Sequence, residues 1–144
     1  LGVCLETLPL RVERHCYNAL TIARHLKNHE KIAAVHYPGL EGDKYYGLAQ
    51  KYMPKGTCGV ISVEIKGGRE SAVRFLDSLR LASIATHVAD AKTCVLHPAS
   101  HTHRQLTDEQ LKEAGISAGL IRMSVGIENV NDLLADIDQA LEQA

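Results

Sequence analysis

Apolar residues recur at helical spacing from residue 5 to about residue 28, at Leu8, Val12, Cys16, Leu20 and Ala23, while Arg11, Arg14, Asn18, Arg24 and Lys27 fall on other faces. The pattern predicts one long amphipathic helix, with Pro9 early enough that its missing amide donor is tolerated. Residues 32–37 then read as a short strand closed by Pro38-Gly39, and residues 43–52 as a helix with Asp43 at its N-cap. In residues 58–65, Val60, Ser62 and Glu64 alternate with Ile61, Val63 and Ile65, a strand buried on one face and ended by Gly67-Gly68.

Residues 69–81 form the next helical pattern, with Ala72, Val73, Leu76 and Leu79 or Arg80 on its inner edge. Two strands are expected at 84–88 and 93–96, and the Pro98-containing polar stretch 97–106 reads as a loop. Thr107 and Gln110 have the spacing of a capping box ahead of a short helix. Residues 120–125 read as a strand, and 131–143 as a closing helix with Leu133, Leu134, Ile137 and Leu141 inward. Strands separated by helices of this length predict a layered α/β (α+β) domain, a small sheet with helices on one side.

The 144 residues suffice for a single domain with its own core, spanning residues 1–144, and no internal repeat or linker is visible. With 16 basic and 17 acidic residues the net charge is -1, which gives no long-range attraction to nucleic acid or anionic lipid. No apolar run approaches the roughly 20 residues of a membrane helix. Cys4, Cys16, Cys58 and Cys94 are widely spaced, without zinc-type CxxC pairs, and read as reduced, mostly buried thiols of a cytoplasmic protein. The chain opens at Leu1 without a methionine and enters helical sequence within a few positions, which reads as a cut end.

Two segments could carry chemistry. His97, His101 and His103 lie close together, but no Cys, Asp or Glu stands beside them at ligand spacing; no metal site is expected, and the loop reads as a polar one ordered by hydrogen bonds. Arg122 sits mid-strand among Ile121, Met123 and Val125. It could lie on the solvent face of an edge strand, pair with Asp90 or Glu128, or present a guanidinium fork to a carboxylate, as recognition of an amino acid requires. Arg11 and Arg14 read as a solvated basic face, or else as contacts to a body that precedes this chain.

The run GLIRMSVGIENVNDLLADIDQAL resembles the closing segment of PLP-dependent trans-sulfuration enzymes, the cystathionine γ-synthase class of Cys/Met metabolism. THVADAKTCVLHPASHTHRQLTDEQL resembles the segment before it, with Asp90, the His-Pro-Ala-Ser run and Thr102-His103 in place. LETLPLRVERHCYNAL resembles the long helix leading from the cofactor domain, and HYPGLEGDKYYGLAQKYMPKGTCGVISVEIKGG the strand, helix and strand that follow. The resemblance thus covers essentially the whole chain, in order.

It implies the C-terminal domain of a fold-type I enzyme: a small, mostly antiparallel sheet with helices on one side, preceded by a long helix. It implies that Arg122 holds the substrate α-carboxylate and that Thr102 and His87 line the same pocket. Where lyases and γ-synthases usually have Ser-Leu-Gly, this chain has His87-Val88-Ala89, a departure that resembles the O-acetylhomoserine sulfhydrylase branch and leaves His87 open between substrate contact and loop packing.

The implied parent reaction is γ-replacement of acetate on O-acetylhomoserine by sulfide or methanethiol, giving homocysteine or methionine, with pyridoxal phosphate as electron sink. Methionine or cystathionine γ-lyase and cystathionine γ-synthase are the alternatives within the family, and a non-catalytic binding domain the alternative outside it. The family's Schiff-base lysine and phosphate-binding groups precede the segment matched here, so no catalytic residue and no bound cofactor are expected in this piece, and by itself it is expected to be inactive. The resemblance also implies a homotetramer for the whole protein, with the exposed apolar positions of the first helix tending to associate where their cover is missing.

Overall fold

The computed structural model describes residues 2–144, apart from the side chain of Asp108. The helical pattern at the start is divided by Thr7 into α1 (Gly2–Glu6) and α2 (Leu8–Lys27), with Pro9 in the first turn of α2. The buried stripe of α2 is His15, Asn18, Ala19, Ile22, Ala23 and Leu26, a true helical repeat but rotated from the expected one. Leu8 and Val12 are 40% and 45% exposed. The stripe turns because His15 and Asn18 are drawn inward: His15 Nδ1 lies 2.6 Å from Val125 O, and Asn18 Nδ2 donates to Gly126 O at 3.0 Å and Glu128 O at 2.9 Å.

β1 (Ile32–His36) is followed by the Tyr37–Leu40 turn and by α3 (Tyr46–Tyr52). Asp43 does not cap α3. Its Oδ1 accepts from Tyr45 N at 2.8 Å and its Oδ2 from Tyr37 N at 3.2 Å, so it orders the turn before the helix. β2 (Val60–Ile65) alternates as its sequence predicts, Ile61, Val63 and Ile65 buried. Gly67, at φ 90, then turns the chain into α4 (Gly68–Ser78); a Cβ there would strike Ser71 Oγ. α4 buries Ser71, Ala72, Phe75 and Leu76, whereas Val73, expected inside, is 38% exposed.

β3 (Ser83–Ile84) and β4 (Cys94–Leu96) precede α5 (Asp108–Glu113), which carries the predicted capping box: Gln110 N donates to Thr107 Oγ1 and Thr107 N to Gln110 Oε1. β5 (Leu120–Ser124) and α6 (Val130–Glu142), the latter capped by Asn129, complete the chain. The sheet order is β1-β2-β5-β4-β3, antiparallel except for the parallel β3–β4 pair, so β5 is the central strand.

α2, α4 and α6 lie on one face, where Ile61, Val63, Ile121, Met123 and Val125 meet Ile22, Leu26, Phe75, Leu133, Ile137 and Leu141 in one core. Burying each such side chain contributes about 1.5–3 kcal/mol. Asp136 of α6 locks the edge: its carboxylate accepts the amides of Arg80, Leu81 and Ala82 at 2.8–3.0 Å. Among the described residues no helix is long and apolar enough to cross a membrane. The thiols are less buried than their spacing suggested, Cys4 being exposed, Cys16 and Cys58 half-buried and Cys94 buried, all four free.

Candidate functional site

Side chains of β5 alternate, so the residues flanking Arg122 enter the core while Leu120, Arg122 and Ser124 point to the opposite face of the sheet. Cross-strand register extends this face into rows. His36, Ser62, Arg122 and Leu96 form one row across β1, β2, β5 and β4; Val60, Ser124 and Cys94 form the next. His36 Nε2 and Glu64 Oε1 pair at 2.9 Å on the same face. Arg122 is therefore central in the sheet rather than on an edge strand.

The parallel arrangement of β3 and β4 brings a second element onto this face. Ser83 N bonds Thr93 O and Ala85 N bonds Val95 O, so the short connection 85–93 must return along the sheet before β4 can begin. It runs over β5 in the direction of that strand. Thr86 O accepts Arg122 Nη2 at 2.8 Å, Ala89 N donates to Ser124 Oγ at 3.0 Å, and Ala91 O accepts Ile127 N at 2.9 Å. Ala89 takes the left-handed conformation, φ 59, one that favours glycine. Asp90 Oδ1 accepts Lys92 N at 2.9 Å and closes the turn.

Below the crossover lies a polar knot. Glu128 accepts Thr93 N and Thr93 Oγ1 at 2.6 and 2.9 Å, Thr93 Oγ1 accepts Gly126 N at 2.8 Å, and a Cβ on Gly126 would meet Glu128 Oε2, Ala91 O and the carbonyl carbon of Lys92. Asp90 and Glu128 are thus committed to the loop. Neither forms an ion pair with Arg122, and among the described residues Arg122 has no carboxylate partner. Its Nε is buried without an acceptor. A guanidinium fixed at Nη2, with donor capacity left over and no internal counter-charge, can receive a planar anion.

The other expected site residues are placed around it unequally. His87 adjoins Thr86 in the crossover, but its imidazole is largely exposed, with Nδ1 3.9 Å from Asp90 Oδ2. Thr102 stands exposed on the loop that leaves β4 just after Leu96, the residue paired with Arg122; its Oγ1 lies 2.9 Å from His103 Nδ1. The loop therefore starts at Arg122, without a direct contact from Thr102 to it.

The three clustered histidines serve the loop itself. His97 is fully buried, its Nε2 2.8 Å from Ala118 O, and burial holds its pKa below the usual value, with the carbonyl contact opposing; His101 Nδ1 lies 3.0 Å from His97 O. Burial, then the charges of Asp90 and Glu128, push the Cys94 thiol pKa up. Arg11 is tied to Thr7 Oγ1 and Cys4 O within the α1–α2 junction, and Arg14 lies over the Tyr17 ring.

Sequence reasoning missed Ser124, Thr86 and the strain at Ala89. The Ser124 hydroxyl two positions after Arg122 was a usable signal, since strand alternation puts the two on one face. The cavities of about 320 and 640 Å³ lie along α2 and at its junction with α6, away from Arg122. Arg122 is half-buried beside the crossover, and none of the residues lining these two cavities belongs to its row.

The family model for Cys/Met metabolism PLP-dependent enzymes matches residues 2–142. The chain is 49% identical to an O-acetyl-L-homoserine sulfhydrylase of Leptospira meyeri over 96% of its length and 31% of that protein. It is 47% identical to an L-methionine gamma-lyase of Fusobacterium nucleatum subsp. nucleatum over 96% of its length and 35% of the relative. A crystal structure described as an O-acetylhomoserine (thiol)-lyase of Campylobacter jejuni, containing N'-pyridoxyl-lysine-5'-monophosphate, superimposes with TM-score 0.88 at 42% identity, covering 96% of this chain and 33% of that one. The chain thus spans about a third of the length of the relatives it matches.

Proposed function

The chain belongs to the Cys/Met metabolism PLP-dependent enzyme family, and on that premise we propose that it forms the substrate-carboxylate wall of an O-acetylhomoserine sulfhydrylase. The observation that carries this is Arg122: a central-strand guanidinium, anchored once to Thr86 O, with Nε buried and unpartnered and no carboxylate beside it among the described residues. Such a group has an unmet demand for an anion, and an amino-acid carboxylate matches the fork. Thr102 and His87, on the two loops that flank Arg122, would complete the pocket around the substrate once a second body closes the face.

Among the described residues, no lysine to hold the cofactor stands beside Arg122 in the sheet. Lys27, Lys31 and Lys66 are committed to the backbone carbonyls of Glu41, of Leu141, Glu142 and Ala144, and of Glu30. Pyridoxal phosphate, bound elsewhere in the whole protein, would supply the electron sink. This chain's part is to fix the carboxylate and so aim the substrate.

The sulfhydrylase reading, replacement of acetate by sulfide or methanethiol, draws support from the Leptospira meyeri and Campylobacter jejuni relatives and from the His87-Val88-Ala89 stretch. A methionine γ-lyase is the second reading, because the Fusobacterium relative is nearly as similar. Assay of the full-length protein with O-acetylhomoserine plus sulfide, and separately with methionine, distinguishes them. Homocysteine formation in the first assay is expected; methanethiol release in the second, with none in the first, would establish the lyase, and turnover in neither would leave a binding domain.

A further inference from the structure

The crossover 85–93 is a second layer on the sheet, and its grip on β5 determines where the Arg122 guanidinium stands. Three contacts hold it, in register along β5 and just past its end: Thr86 O on Arg122, Ala89 N on Ser124, and Ala91 O on Ile127. The outer two are of different kinds. The Ala91–Ile127 contact is backbone to backbone, backed by the Thr93–Glu128 knot, and no side chain tunes it directly. The Thr86–Arg122 contact is the functional one, a carbonyl that fixes one arm of the fork and so sets the direction of the others.

Between them stands Ser124. It is 2% exposed, so its hydroxyl acts inside the protein, and its Oγ receives the amide of a residue held at positive φ. An alanine adopts that conformation at a cost, and persists there when its surroundings over-determine it. Here the over-determining contact is the Ser124 hydroxyl. Loss of it would let residues 87–90 relax away from the sheet, carrying the Thr86 carbonyl with them and freeing the guanidinium to turn.

We propose that Ser124 is a positioning residue for the amino-acid site, acting on Arg122 through Ala89 and the Thr86 carbonyl. The inference rests on the reading of Arg122 as the carboxylate anchor, and it adds that the anchor's aim is set by a hydroxyl that meets no substrate.

The test is a double-mutant cycle in the full-length enzyme, Ser124→Ala and Arg122→Ala singly and together, with O-acetylhomoserine varied at saturating sulfide and the reverse. Ser124→Ala is expected to raise KM for O-acetylhomoserine about five- to tenfold, the scale of one hydrogen bond, with KM for sulfide unchanged. In the Arg122→Ala background the same substitution is expected to add less than twofold, roughly the limit of non-interacting error, because its route to the substrate is gone.

Unchanged KM in Ser124→Ala, or a full multiplicative effect on top of Arg122→Ala, overturns the inference while leaving the anchor reading intact. Unchanged KM in Arg122→Ala itself overturns the anchor reading and the inference with it. If Ser124→Ala does not fold, Ser124→Cys, of similar volume with a weak acceptor, carries the same cycle and the same outcomes.

Discussion

Arg122 Nη2 and Thr86 O stand 2.8 Å apart, joining the central strand of the sheet to the loop that crosses it through a cation and a carbonyl rather than through apolar packing. Packing would have fixed the loop without leaving donors over. A guanidinium tied at one arm is both part of the fold and available to a ligand, and the unpartnered Nε keeps that demand standing. The rest of the domain can be understood as support for this arrangement, and the support is where stability should be tested.

Asp136 holds three consecutive amides at the α4–β3 junction and is 6% exposed. Asp136→Ala would strip three amides of their acceptor, of which that of Ala82 is buried, at a cost of about 1–3 kcal/mol. Urea unfolding should show the midpoint lowered with little change in slope. Asp136→Asn should recover part of the loss, since an amide oxygen accepts but carries no charge.

Gly126 has no room for a methyl. A Cβ there would meet backbone atoms of Ala91 and Lys92 as well as the Glu128 carboxylate, and backbone cannot swing aside as a side chain end can. Gly126→Ala is therefore expected to displace the crossover and to destabilise by about 3 kcal/mol or more, in the range of severe overpacking. Thermal melting, with hydrogen exchange at Thr93 and Ile127, checks both parts.

How far this was legible beforehand varies with how local each cause is. The alternation in 60–65, the Thr107–Gln110 capping box and the apolar stripe of the last helix are set within a few residues, and each appears where its sequence places it. The stripe of α2 is rotated because His15 and Asn18 answer to carbonyls of residues 125, 126 and 128, more than a hundred positions away in sequence. Arg122 could be singled out as an anomaly in an apolar strand, but its freedom from Asp90 and Glu128 depends on those carboxylates being taken up by the crossover and Thr93. Strand alternation could have placed Ser124 on the face of Arg122, but its partner, the amide of Ala89, is a backbone group and has no sequence signature.

His97 gives a pH prediction. Its folded pKa is held below the ordinary 6.5, chiefly by burial, so the unfolded chain binds the proton more readily. Its contribution to stability is fully present above about 6.5 and is lost as pH falls below that value toward the folded pKa. Unfolding free energy measured across that interval should decline with falling pH, and His97→Gln should flatten the decline. An unchanged slope in the variant would place the dependence on other groups.

The central claim is that Arg122 anchors the substrate carboxylate, and steady-state kinetics of Arg122→Ala in the full-length enzyme tests it most directly. The account predicts that kcat/KM for O-acetylhomoserine falls by about 10²- to 10³-fold, the scale of a lost charged fork, with KM for sulfide unchanged and with Arg122→Lys recovering little because a single ammonium cannot reproduce two parallel donors. Kinetics within twofold of the unsubstituted enzyme, a margin of roughly 0.4 kcal/mol, would contradict it and return Arg122 to the role of a cation that merely ties a loop to a strand.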